Sequence, residues 1–120
     1  MERYAVKSGT EMINDAKGRI RQVTAEAALA EQSSAVFVDC REPNEFNLGH
    51  IPDAVFIPRG QLEQQIEARV ARDQRVIIYC ASGNRSALAA DTMQQMGYTN
   101  VASLAGGFRG WAEAGGDIEG

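Results

Sequence analysis

Cys80 closes an apolar, β-branched run, Val76-Ile77-Ile78-Tyr79, and opens a short loop, Ala81-Ser82-Gly83-Asn84-Arg85-Ser86. Cysteine is a nucleophile as the thiolate, and its pKa of about 8.5 can fall to roughly 3.5–7.5 beside a helix N-terminus or a cation. This stretch offers both. From about Arg85 to Met96 the chain carries Ala89, Met93 and Met96 on one helical face and then meets Gly97, a stop signal. The free N–H groups at the start of that helix face the cysteine, and Arg85 supplies the cation. Gly83 permits a positive φ that turns backbone N–H groups inward as an anion-binding nest. Ser82 and Ser86 add hydroxyl donors, and either can cap the helix. The bland alternative is an inert buried thiol, a role that suits free cysteine; the neighbouring Gly, Arg and Ser favour a reactive one.

The elements that must position this loop follow from periodicity. Arg75 to Cys80 reads as a buried strand, and a cysteine at the carboxyl end of a parallel strand lies where α/β folds carry their chemistry. Upstream, Ser8-Gly9-Thr10-Glu11 has capping-box spacing. Met12, Ile13 and Ala16 can then share one face of a helix that Gly18 ends. Arg21 to Val23 predicts a first strand, and Thr24 the N-cap of a helix through about Glu31. Ala35 to Asp39 predicts a second strand, Glu42 to Leu48 one or two helical turns ended by Gly49, and Ala54 to Ile57 a third strand closed by Pro58. Gln61 to Ala71 fits an amphipathic helix with Leu62, Ile66 and Val70 in line. Asn100 to Leu104 predicts a fifth strand, and Phe108 to Ala114 a last helix carrying Trp111. Alternating strands and helices imply a parallel sheet covered on both faces. Residues 1–20 are expected to be a helical extension packed on a single domain of residues 21–120.

The 120 residues suffice for one domain with a core of its own, and 44% apolar with 23% charged content is ordinary for a globular protein. No apolar run is long enough to span a membrane, and Met1 to Lys7 lacks the apolar centre of a signal peptide, so the expectation is a cytoplasmic protein. A net charge of −4 argues against nucleic acid or an anionic membrane as partner. Ten of the twelve basic residues are arginines, and Arg41, Arg59, Arg85 and Arg109 lie in or near the marked stretches, which suits a small anionic substrate. Cys40, Cys80 and the single His50 have no zinc spacing, and a structural disulfide does not fit a reducing compartment. No metal or cofactor is expected.

Cys80-Ala81-Ser82-Gly83-Asn84-Arg85-Ser86 resembles the Cys-x-x-Gly-x-Arg-Ser active loop of rhodanese-like sulfurtransferases. Val38-Asp39-Cys40-Arg41-Glu42-Pro43-Asn44-Glu45-Phe46 with Gly49-His50-Ile51-Pro52-Asp53-Ala54 resembles the family's first signature. Gly106-Gly107-Phe108-Arg109-Gly110-Trp111 resembles its C-terminal one. The likeness runs from about Val23 to Gly115. It implies an α/β, three-layer fold, a five-stranded mainly parallel sheet flanked by helices on both faces. It also implies sulfur transfer through a Cys80 persulfide, from a small anionic donor (thiosulfate or a persulfide) to cyanide, a thiol or a sulfur-relay protein. Ala81 to Ser86 would hold the persulfide, and Arg85 would stabilise the anionic loop and dock the donor.

Around the loop, Asp39 ends a buried strand and needs donors, either loop amides or an arginine. Arg41 can pair with Glu42 or Glu45 to brace the segment, and Arg41 is also the best candidate for substrate contact. His50 reads as structural, because a thiolate that is already formed needs no general base. Cys40 reads as a small buried hydrophobe, with a resolving role against a Cys80 persulfide dependent on proximity. Two rival functions stay open. A phosphatase or arsenate reductase also uses a Cys-to-Arg loop, but the related dual-specificity enzymes place five residues between those two where this chain has four. A regulatory or partner-binding module is the other, although retention of Cys80, Gly83 and Arg85 argues against an inert one.

Overall fold

The computed structural model describes residues 5–120, so the first four residues of the expected N-terminal extension lie outside the described part. Five strands, β1 (Arg21–Val23), β2 (Val36–Asp39), β3 (Val55–Phe56), β4 (Val76–Tyr79) and β5 (Val101–Leu104), form one sheet in the order β1-β5-β4-β2-β3. Among the described residues, every strand pairing within this sheet is parallel, and a lone antiparallel bridge joins His50 to Glu119 outside it. The family-like architecture expected from the sequence is therefore observed, with the sheet parallel throughout.

Side-chain alternation splits the core in two. Val36, Val38 and Cys40 of the second strand and its exit point the same way as Val76, Ile78 and Cys80, and pack with Leu62, Ile66, Ala89, Ala90 and Met93. Phe37, Ile77, Tyr79 and Leu104 face the other way, against Ala28 and Trp111. The first layer is roofed by α4 (Leu62–Arg69) and α5 (Asn84–Gln95), the second by α2 (Ala25–Ala30) and α6 (Gly107–Glu113). With both faces covered, the central strand is wholly buried, which is why it reads as a continuous apolar run.

Helix boundaries follow local chemistry with small departures from expectation. Helix α1 (Gly9–Arg19) has the Ser8–Glu11 capping box and continues one residue past Gly18. It lies against α5, with Arg19 in a bidentate pair with Asp91. Thr24 caps α2 through the Ala27 amide. Helix α3 (Pro43–Leu48) begins with proline in its first turn and stops at Gly49. A 3-10 turn, Arg59–Gln61, precedes α4, so α4 is shorter than its apolar pattern; Val70 is already extended, though still buried. No helix among the described residues is long and apolar enough to cross a membrane.

Candidate active site

The carboxyl ends of β4 and β5 lie side by side, and the loops leaving them form the site together. Cys80 follows β4 and is 1% exposed. Its sulfur accepts from the Gly83 amide at 3.1 Å and the Ser86 amide at 3.4 Å, and lies 3.5 Å from the Ser86 hydroxyl. Gly83 is the N-cap of α5 with φ of 108°, a left-handed conformation that glycine adopts without strain. Neither serine caps the helix. Gly83 does, and the Ser86 side chain is turned inward to the sulfur instead.

The first two amides of the loop, those of Ala81 and Ser82, are oriented from the opposite side of the loop. The Phe108 amide donates to the Cys80 carbonyl at 2.8 Å, and the Arg109 amide to the Ala81 carbonyl at 3.2 Å. A peptide unit is planar, with C=O and N–H pointing in opposite directions. Holding these two carbonyls outward therefore turns the Ala81 and Ser82 N–H groups to the inner side. The donors are free N–H groups of the first turn of α6, reached through Gly106 and Gly107 at φ of 78° and 59°. A Cβ on Gly107 would stand 2.5 Å from both loop carbonyl oxygens. Gly107→Ala is expected to cost about 1–3 kcal/mol from backbone conformation alone, and the clash with backbone atoms adds to it. The expected readout is a lower melting temperature together with slower alkylation of Cys80.

Burial pushes the Cys80 thiol up, but the Ser86 hydroxyl and the amides of Ser86, Gly83 and Ser82 outweigh it, leaving the thiol below its ordinary value. The source differs from expectation in one respect. Arg85 is the cation that the sequence puts forward, yet its two terminal nitrogens donate to the Glu45 carboxylate of α3 at 2.8 and 3.0 Å. The hydrogen bonds to Glu45 raise the Arg85 pKa first, and a charge on Cys80 contributes further down the order. Most of the thiolate stabilisation thus comes from fixed N–H and O–H dipoles.

The same pair makes a pH prediction. Arg85, first, and then the Glu42 amide against the opposing effect of burial, hold Glu45 at about 2 in place of its ordinary 4.5. A carboxylate depressed on folding stabilises above its unfolded pKa and loses that contribution as pH falls through the folded one. Glu45→Gln is therefore expected to be less stable than the wild type above pH 4.5. The two denaturation midpoints are expected to converge as pH falls toward 2.

The remaining candidates separate clearly. Asp39 is fully buried and Arg41 is 4% exposed. The Arg41 guanidinium donates to both Asp39 oxygens, at 2.7 to 3.1 Å, and to the Gly49 carbonyl at 2.7 Å. It lies 4.4 Å from the Phe108 ring centre. Arg41 is thus neither paired with Glu42 or Glu45 nor available to substrate; it ties the end of β2 beneath the loop. Glu45 belongs to Arg85 instead. His50 stacks on Phe46 and lies within hydrogen-bond distance of the Phe46 carbonyl and Glu119. Cys40 is fully buried and donates its thiol to the Tyr79 carbonyl at 3.3 Å. Burial, and then the neighbouring Cys80 charge, pushes its pKa up, so it has the character of a protonated core thiol. Ser82 and Asn84 are exposed and Ala81 half-buried, at the mouth of the loop. Lys17 of α1 reaches Asn84 at 3.0 Å. Two participants are not evident from sequence. Gly107 lies in a marked motif, but the reason for it is a close approach that only the fold reveals. Ser103 is a buried serine on β5 whose hydroxyl is 2.8 Å from that of Ser86.

The chain is similar to several known proteins. A sulfurtransferase from Allochromatium vinosum is 38% identical over 87 residues, covering 72% of this chain and 80% of its own. The thiosulfate sulfurtransferase GlpE of Tolumonas auensis is 33% identical over 85 residues, covering 71% and 79%. A solved structure from Rhodopseudomonas palustris, of unknown function and described as a possible tyrosine phosphatase, superposes with a TM-score of 0.86. It is 37% identical, with 99% of each chain covered. The family model for the rhodanese-like domain matches residues 23–114. With that match across most of its length, the chain belongs to the rhodanese-like domain family.

Proposed function

We propose that the protein is a sulfurtransferase that carries sulfane sulfur as a Cys80 persulfide. The observation that carries this reading is the convergence of the Gly83 and Ser86 amides and the Ser86 hydroxyl on one sulfur atom. Such a cradle favours the thiolate before reaction, and its fixed dipoles can also receive the negative charge of a persulfide. The Cys80 thiolate attacks the outer sulfur of thiosulfate, forming an S–S bond while the sulfur–sulfur bond of the donor breaks and sulfite leaves with the electron pair. A thiolate, cyanide or sulfur-relay cysteine then attacks the terminal sulfur, and Cys80 leaves as the thiolate it was. No proton need be moved by a base, which fits His50 being occupied elsewhere. No metal or cofactor enters the scheme, and the cytoplasm is the expected compartment. Thiosulfate as donor is supported by the name of the Tolumonas auensis relative.

The description of the Rhodopseudomonas palustris protein raises phosphate hydrolysis as a second reading. The terminal nitrogens of Arg85 are taken by Glu45, so its guanidinium is no free fork for the oxygens of either a phosphate or thiosulfate, and the donor-docking role expected of Arg85 is not part of the proposal. The four-residue spacing between Cys80 and Arg85 also encloses a single sulfur more closely than an oxyanion. Intact mass of the reduced protein after thiosulfate treatment tests the proposal. The expected result is a gain of one sulfur atom, removed again by cyanide with release of thiocyanate. An unchanged mass with thiosulfate and with a persulfide donor, alongside hydrolysis of an aryl phosphate, would overturn it.

A further inference from the structure

Ser103 is fully buried on β5. It is the register partner of Ile78 and shares its sheet face with Val101, the side on which Cys80 lies. An apolar side chain would satisfy packing there, and a hydroxyl in that layer is costly unless it is hydrogen-bonded. Its partner is the Ser86 hydroxyl, at 2.8 Å, and the Ser86 oxygen is in turn 3.5 Å from the Cys80 sulfur. A hydroxyl has one hydrogen to give and can accept at the same time. When Cys80 is a thiolate, Ser86 must direct that hydrogen to sulfur, leaving its oxygen to accept from elsewhere.

We propose that Ser103 is a positioning residue for the nucleophile: its hydroxyl donates to the Ser86 oxygen, fixing the Ser86 hydrogen on the Cys80 thiolate. Two hydroxyls in series also polarise one another, which strengthens the bond to the charged end. When Cys80 is protonated the chain can run the other way, with the thiol donating to Ser86 and Ser86 to Ser103. Titratable and charged groups around the sulfur are Arg85 of α5, paired to Glu45 of α3, and Cys40 at the exit of β2. Among the described residues, none of these hydrogen-bonds Ser103, so a change at Ser103 reaches the sulfur through Ser86. The inference concerns ionisation of Cys80 alone and holds or fails whatever donor or acceptor Cys80 serves.

The test is the rate of Cys80 alkylation by iodoacetamide as a function of pH, on the full chain. Ser103→Ala is close in volume and is expected to fold, which circular dichroism checks. It is expected to raise the apparent pKa of Cys80 and slow alkylation at neutral pH by about three- to tenfold. Ser103→Thr, which keeps the hydroxyl, is expected to restore most of the rate. In a Ser86→Ala background the same Ser103→Ala change is expected to have no further effect. An unchanged pH profile in Ser103→Ala would overturn the proposal, and so would an equal shift in the Ser86→Ala background. Should Ser103→Ala fail to fold, Ser103→Thr and Ser103→Cys take its place. An unaltered profile for the threonine variant with a raised one for the cysteine variant would support the proposal; equal profiles for those two would overturn it.

Discussion

Cys80→Ser is expected to abolish sulfur uptake from thiosulfate and to lower sulfur transfer to cyanide by on the order of 10^4-fold or more, the scale of losing a covalent nucleophile. The change is nearly isosteric, and the cradle that surrounds the sulfur is built from backbone amides and Ser86, so the fold should survive it. What is lost is the chemistry. A serine hydroxyl stays protonated in a setting that lowers the pKa of a thiol only in part. Intact mass and a thiocyanate assay read the outcome, with thermal melting as the control for folding. The chain has a second thiol, which makes the experiment discriminating. Cys40 is buried, donates to the Tyr79 carbonyl and is pushed up in pKa, so the variant should acquire no sulfur at all. Sulfur appearing on Cys40 would show that the nucleophile had been assigned to the wrong cysteine.

Asp39→Ala is expected to have the largest effect on stability, about 3–5 kcal/mol, read as a fall in the urea midpoint. Arg41 is 4% exposed, and its guanidinium is held by both oxygens of Asp39. Without them it keeps the Gly49 carbonyl and two aromatic faces, leaving a buried cation without its counter-charge. The Arg41 amide also loses its acceptor. Replacing both members with apolar groups removes the stranded charge. Arg41→Met in the Asp39→Ala background should therefore recover part of the loss. If Asp39→Ala unfolds at the wild-type midpoint, the pair does not brace the end of β2.

Much of this fold is legible in the sequence because its strands are short, apolar and β-branched, and its helices are marked by local start signals, the caps Ser8 and Thr24 and the first-turn Pro43. The Cys80 loop is legible because its spacing is local. The ion pairs are harder. Strand alternation already puts Asp39 and Arg41 on one side, so their pairing is within reach of a period-two argument. Glu45 and Arg85 lie 40 residues apart, and only the packing of α3 beside α5 brings them together. Pairing Arg41 with Glu45 is therefore the natural misreading, and it offers to substrate an arginine that the core consumes. Ser103 leaves one faint sign, a hydroxyl at the carboxyl end of an otherwise apolar strand. Its meaning depends on β5 lying next to β4, which no local pattern states.

The outward-held carbonyls of Cys80 and Ala81 bear on how such a site can diversify. Most of the groups that hold the sulfur are peptide N–H groups, and the side chains of Ala81, Ser82 and Asn84 contribute none of the contacts to it. Those three positions sit at the opening, where two of them are exposed. Mutation there can redraw what approaches the sulfur without rewriting what the sulfur does. On the proposed sulfur-transfer reading, a chain built this way separates the inheritance of a reaction from the inheritance of its clientele, and substitution at the opening is expected to change which donors and acceptors are used while leaving the chemistry at the sulfur as it is.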